Sequence, residues 1–184
     1  MANTEKELKK QKVIDALNKA RALELQAILQ YMNQHYNLDN MDYGDFAAKV
    51  KLIAVDEMRH AEMFAERIKE LDGEPTVTPA AAPEKGQPVE VIFGFDAKTE
   101  EEAIDAYNAF LLLCRENGDS VSAKLFETII AEEQIHFNYF DNVGTHIKNL
   151  GSTYLAQVAG TPSTTGLATQ GFVARQGVPT PGAA

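Results

Sequence analysis

Cysteine is almost absent from this chain of 184 residues, with Cys114 the only one. An intramolecular disulfide is therefore impossible, and so is a thiolate-built metal cluster. Cys114 falls in the apolar run from Phe110 to Cys114, where it reads as a small buried hydrophobe rather than a reactive thiol. No stretch of 18 or more apolar residues occurs, and the first ten residues carry no apolar segment. These two absences predict a soluble, cytoplasmic protein with no membrane partner. Positive charge is scarce as well: 17 Lys and Arg face 27 Asp and Glu, a net charge of −10. That balance argues against nucleic acid or an anionic membrane as the main partner.

What remains is ordinary globular material, with 45% hydrophobic and 24% charged residues in a length suited to one domain. The pattern along the chain predicts an all-α fold. Thr4 and Glu7 form a capping-box pattern for a first helix ending near Asn37, with an inward stripe of Val13, Leu17, Ala20, Glu24, Ala27 and Tyr31. A turn over 38–45 leads to a second helix reaching about Asp72, where Gly73 is the expected stop and Pro75 follows. Its stripe is Phe46, Val50, Ile53, Glu57, His60, Phe64, Ile68 and Leu71. Residues 73–87, with three prolines, form a long irregular connection. The segment from Val89 to Phe93 has strand-like propensity. It is read as helix from Pro88 onward because Val89, Phe93, Ala97, Glu100, Ile104, Tyr107, Leu111 and Cys114 make one unbroken stripe.

Asn117-Gly118 ends that third helix, and Asp119 or Ser120 caps a fourth with the stripe Ser122, Phe126, Ile129, Glu133, His136, Phe140, Val143 and Ile147. Ser152 is placed to cap a short fifth helix stopping at Gly160. Residues 1–160 are thus expected to form a four-helix bundle plus this short helix, and 161–184 a Thr-, Gly- and Pro-rich tail, mobile or docked.

The stripes contain a repeat. Glu57-x-x-His60 and Glu133-x-x-His136 stand 76 residues apart, and each is preceded at a distance of 33 by another glutamate, Glu24 and Glu100. Tyr31 and Tyr107 each follow that upstream glutamate by seven positions. In each half the two glutamates lie 16 and 17 residues from the turn centre, near Met41 or Asn117. At a rise of about 1.5 Å per residue this is roughly 25 Å on either side, so they sit at one height. Two such hairpins packed seam to seam bring four carboxylates and two imidazoles to one level of the core.

A single Glu-x-x-His is weak evidence, because surface pairs at this spacing are common. Accordingly His35 and His146, which lack the pairing, are expected to face solvent or cap helices. Placement decides for the six: they interrupt apolar stripes, where ionised groups are costly unless paired or bound to metal. A structural Glu–His hydrogen-bond network is the alternative. Four carboxylates and two histidines without thiolate suit iron or manganese, with zinc able to occupy the site inertly. In a mirrored assignment Glu57 and Glu133 bridge two ions roughly 3.5–4 Å apart, Glu24 and Glu100 are terminal, and His60 and His136 each cap one ion. Tyr31 and Tyr107 are candidates to hydrogen-bond these carboxylates, or else core tyrosines with satisfied hydroxyls.

The repeat breaks at Met58, whose equivalent is Gln134. Met58 points about 100° away from the ligand seam. Its face carries Ala47, Ala54, Ala61 and Ala65, small enough for a second subunit or a flat cofactor to approach. A packing methionine is the plainer alternative.

Taken together, Leu23-Glu24-Leu25, Gln30-Tyr31, the run from Asp56 to Glu62, Asp119-Ser120-Val121-Ser122 and the run from Glu132 to His136 resemble the bacterioferritin family over roughly residues 5–160. The resemblance implies a ferritin-like four-helix bundle with a long crossover between the second and third helices and a short fifth C-terminal helix. It implies Glu24, Glu57, His60, Glu100, Glu133 and His136 as both metal ligands and catalytic residues of a di-iron ferroxidase. It also implies haem bound axially by Met58 and by Met58 of a two-fold related subunit. Further implications are a 24-subunit shell storing ferric mineral, Fe²⁺ as substrate with O₂ or H₂O₂ as oxidant, and a small redox protein as electron donor to the haem. Two features depart from the family pattern, the Pro- and Ala-rich crossover and a long tail after Gly160.

The rival reading is a di-iron or di-manganese enzyme of peroxidase or catalase type. Rubrerythrin-type enzymes would need a Cys-x-x-Cys centre that one cysteine cannot supply. A structural or DNA-protecting shell would leave the buried six-ligand set without a purpose.

Overall fold

The computed structural model of the chain describes residues 2–166 and 170–176. Four long helices carry the fold: α1 (Ala2–Asn40), α2 (Gly44–Glu70), α3 (Val89–Glu116) and α4 (Ser120–Leu150). Two short ones follow, α5 (Ser152–Val158) and α6 (Phe172–Arg175). Helices α1 and α2 pack as one antiparallel hairpin and α3 and α4 as a second, and α1 meets α3 while α2 meets α4. The stripes read from the sequence face this common interior. The segment from Val89 to Phe93 is helical, with Val89, Ile92 and Phe93 all buried.

The ends differ from expectation in instructive ways. Helix α1 continues through Asn40 because Leu38 belongs to the core, leaving Met41 to Tyr43 as the turn. Asp72, rather than Gly73, adopts the left-handed conformation that ends α2, at φ 60°. Gly73 is needed for a different reason: a Cβ there would come within 2.9 Å of both Ile14 and Ile68 side chains. Asp119 caps α4, accepting from the Ser122 N–H at 2.9 Å and, on both carboxylate oxygens, from Nη2 of Arg67 at 2.9 Å. That guanidinium ties the α3–α4 turn to α2. Ser152 opens α5 but makes no side-chain cap; Gly151, at φ 52°, holds the cap position.

His35 is a correction. It is buried, and its Nδ1 lies 2.9 Å from the Ala47 carbonyl, linking α1 to α2. His146 is exposed and stacks on Tyr154. On the alanine face of α2, Ala47, Ala54 and Ala61 are buried and Ala65 is half-buried.

The irregular crossover is not loose. It runs alongside α1, held by Asn18 to Thr76, Arg21 to the Thr76 carbonyl, Ala22 to Ala80 and Gln30 to Glu84. The tail beyond α5 is described to Gly166 and again over 170–176; its other residues lie outside the described part. Thr161 docks on the α1–α2 turn, bridging Tyr43 and accepting from the Asp45 N–H at 2.8 Å. It supplies α2 with the cap that Tyr43 does not. Gly44 permits this passage, because a Cβ there would lie 1.9 Å from the Thr161 carbonyl oxygen.

Apolar side chains form two clusters. One holds Tyr31, Phe46, Ile53, Phe93 and Phe140, the other Leu17, Phe64, Tyr107, Phe126 and Ile129. Between them lies a polar layer.

Candidate metal centre

That layer is built by the repeat. Glu24 from α1, Glu57 and His60 from α2, Glu100 from α3, and Glu133 and His136 from α4 are all buried. Two overlapping sets of ligand atoms each lie within 4.8 Å of one another: Glu24, Glu57, His60 and Glu133 in one, Glu57, Glu100, Glu133 and His136 in the other. Glu57 and Glu133 belong to both, as the mirrored assignment expects of bridging groups. All six residues singled out in the sequence are brought together.

The imidazoles are aimed. His60 Nδ1 lies 2.9 Å from Glu57 and 3.2 Å from Glu133, and His136 Nδ1 lies 3.1 Å from each of the same two carboxylates. Their Nε2 atoms turn outward, His60 to Glu132 at 3.2 Å and His136 to Asp56 at 3.4 Å. An imidazole with one nitrogen facing a carboxylate cluster and the other backed by a carboxylate is in the geometry of an oriented metal ligand. Asp56 and Glu132 were not singled out individually for a role, although they too stand 76 residues apart. The signal was the acid directly preceding each ligand glutamate.

The tyrosine hydroxyls reach the layer crosswise. Tyr31 donates to Glu100 at 2.6 Å and Tyr107 to Glu24 at 2.6 Å, so each serves the glutamate of the other hairpin. One buried oxygen, Glu57 Oε1, has no hydrogen-bond partner despite lying 3.1 Å from His136 Nδ1, which is aligned on Glu133 instead. A buried carboxylate oxygen left unsatisfied at the centre of such a set fits a cation.

Electrostatics say the same. Burial first, and then repulsion from Glu133, pushes Glu24 well above the usual carboxylate range. Burial and the neighbouring Glu57 do so for Glu100. Burial opposes charge on His60 and His136, yet the carboxylates around them overcome it and hold both well above an ordinary imidazole. Burial raises Glu133, but the two imidazoles outweigh it and hold that carboxyl low. The layer thus retains protons that a pair of divalent cations would displace. Cys114, by contrast, is buried with its thiol pushed up to about 12, and is inert.

Access comes from one flank. A cavity of about 320 Å³ between α1 and α3 is bordered by Leu23, Gln26, Phe95, Lys98, Thr99 and Ala103 and reaches Glu24, Glu57, Glu100 and Glu133. Met58 lies elsewhere, 53% exposed in a groove with Arg21, Leu25, Ile28, Val55 and Arg59. The open approach to Met58 is this α1/α2 groove, which Ala61 and Ala65 of the alanine face also line, while Ala47 and Ala54 are buried within the chain.

The chain is similar to known proteins. A family model described as a ferritin-like domain matches residues 14–150. The bacterioferritin of Desulfovibrio desulfuricans is 62% identical, the match covering 91% of this chain and 94% of that one. Its crystal structure, described as showing the diiron site in different catalytic states, matches with a TM-score of 0.87 over 91% of this chain and 98% of that one. The bacterioferritin of Mycobacterium tuberculosis matches at 33% identity and a TM-score of 0.77, over 83% of this chain and 96% of that one. On fold, layer and likeness together, the chain belongs to the bacterioferritin family of ferritin-like proteins.

Proposed function

We propose that the protein is an iron-storage ferroxidase that binds two Fe²⁺ at the six-residue layer. The observation that carries this reading is the pair of overlapping ligand sets sharing Glu57 and Glu133. Glu24 with His60 would complete one iron position, and Glu100 with His136 the other. The oxygen- and imidazole-only donor set suits iron. The diiron site of the D. desulfuricans relative supports that choice. In the reaction each Fe²⁺ gives up one electron, and O₂ takes the pair with two protons to leave as H₂O₂. Where H₂O₂ is the oxidant, it takes the pair with two protons and leaves as water.

The chain's own groups prepare this step. The α1/α3 cavity admits the small reactants to the carboxylates. Tyr31 and Tyr107 hold Glu100 and Glu24 in place through their hydroxyls. Glu132 and Asp56 fix the imidazole planes. Protons released from the layer as cations bind are available to the reduced oxygen.

Haem fits the groove at Met58. Met58 is exposed, Leu25, Ile28 and Val55 give apolar walls, and Arg21 and Arg59 line the same groove and would offer cations to the propionates. A second Met58 from a two-fold related copy would complete the ligation, in a 24-subunit shell. Such a haem would supply electron transfer to the stored iron, with a small redox protein as its donor. The compartment proposed is the cytoplasm; among the described residues no helix is long and apolar enough to cross a membrane.

Aerobic addition of Fe²⁺ tests the reading: a fast phase consuming two Fe²⁺ per chain and a soluble ferric product are expected. Peroxide turnover without iron uptake would overturn it in favour of a peroxidase or catalase. A solution mass of a monomer or dimer would remove the shell.

A further inference from the structure

The two histidines of the layer are backed alike by the repeat, but among the described residues the tail reaches only one of the backing carboxylates. Glu132 accepts from His60, and Asp56 faces His136. Asp56 also receives the Val173 backbone N–H at 2.9 Å, on Oδ2, the oxygen that faces His136 Nε2. Its other oxygen accepts from Arg59 Nη1 at 3.1 Å and fills the space where Gly171 has no side chain: a Cβ there would lie 1.8 Å from Asp56 Oδ1. Between them Phe172 is buried, its ring 4.9 Å from that of Tyr139 and 6.4 Å, edge-on, from His136. Arg175 braces the segment by donating to the Gln170 and Thr165 carbonyls. Helix α6 packs on both α2 and α4, the flank opposite the α1/α3 cavity.

We propose that residues 170–176 are a strap completing the His136 half of the metal site. The Val173 N–H and the space at Gly171 join Arg59 in holding Asp56, Asp56 orients His136, and Phe172 shuts the α2/α4 flank. The ion at the Glu100–His136 position is thereby retained longer than it would be on the helices alone, and ions come and go from the α1/α3 side. Val173 and Gly171 are positioning residues, since neither touches the metal. The proposal rests on the reading of the layer as a two-metal site. The sequence marks it only by a glycine followed by two large apolar residues in an otherwise small and polar tail.

The test uses the full-length protein and Co²⁺, whose visible bands report ligand geometry and whose release to excess chelator can be timed. Gly171→Val places a side chain where Asp56 stands. Val173→Pro deletes the donor at a first-turn helix position that accepts proline. Both variants are expected to release one of the two Co²⁺ ions faster, by about 10–100-fold, the range for losing a partner that orients a ligating histidine. The second ion should keep its wild-type rate, and the bands of the first should shift. Wild-type release from both variants would overturn the strap, as would equal acceleration of both ions with unchanged bands, which a merely structural role predicts. If Gly171→Val does not assemble, Val173→Pro decides alone. Failure of the wild-type protein to take up Co²⁺ would instead sink the two-metal reading itself.

Discussion

Replacing single glutamates by glutamine should separate the shared from the unshared ligands, with opposite effects on the metal-free and metal-loaded protein. Glu24 and Glu100 each belong to one ligand set, and Glu57 and Glu133 to both. Glu24→Gln keeps the side-chain volume and an oxygen to accept from Tyr107, but leaves one ion with a neutral donor. Its affinity should fall by about 100-fold or more, roughly 2.8 kcal/mol. Zinc per chain after gel filtration at limiting free metal should drop from two to one. Glu100→Gln should do the same at the other position, and Glu133→Gln should weaken both. Without metal the sign reverses. Burial and the Glu133 charge both disfavour an ionised Glu24, so the neutral variant should be more stable by on the order of 1 kcal/mol. In a chain of this size that raises Tm by roughly 2–4 °C. Scanning calorimetry on stripped and zinc-loaded samples reads both effects. A Glu24→Gln protein that loses both ions, or melts lower when stripped, would refute the reasoning.

Three further outcomes are expected. The stripped protein should lose stability as pH rises above about 6.5: His60 and His136 have folded values above the ordinary 6.5, so their contribution is complete below that pH and fades as pH climbs through the raised values. Glu24 and Glu100, raised above 4.5, act with the same sign; Zn²⁺ should flatten the profile, and a stripped Tm that climbs with pH would contradict this. Met58→Leu should abolish a low-spin porphyrin spectrum in the purified protein while Co²⁺ uptake at the layer stays at two per chain. Asp119→Ala removes the α4 cap and the carboxylate partner of the half-buried Arg67 Nη2, which should cost about 2–3 kcal/mol in a thermal melt; a change below 0.5 kcal/mol would show that Glu70 and Ser122 satisfy the guanidinium.

The bundle and the six layer residues were legible because both leave periodic marks. Apolar stripes at helical spacing fix four helices, and polar residues within those stripes at a 76-residue repeat mark one level of the core. Phe93 illustrates why stripe outweighed propensity: a β-favouring residue is helical because its neighbours at helical spacing share its burial. Contacts without periodicity stayed hidden. Asn18 and Gln30 look like ordinary solvent-facing residues of α1 until the crossover is seen bonded to them. Thr161 gives no local hint that it caps a helix 116 residues earlier. His35 was misplaced for the same reason, since its partner is a backbone carbonyl. Gly171 reads as a flexible tail residue when what fixes it is the Asp56 side chain.

The crosswise tyrosines carry a consequence for how such a chain could arise. Because Tyr31 serves Glu100 and Tyr107 serves Glu24, neither hairpin holds its own glutamate, and half a molecule would leave both hydroxyls and carboxylates stranded. Two identical hairpins related by a two-fold axis would satisfy each other completely. The repeat is what gene fusion of such a pair would leave behind. Fusion also frees the halves to diverge: in a symmetric pair every substitution occurs twice, whereas in one chain Met58 can stand opposite Gln134 in the repeat and a single tail can fasten onto Asp56 while Glu132, among the described residues, goes without.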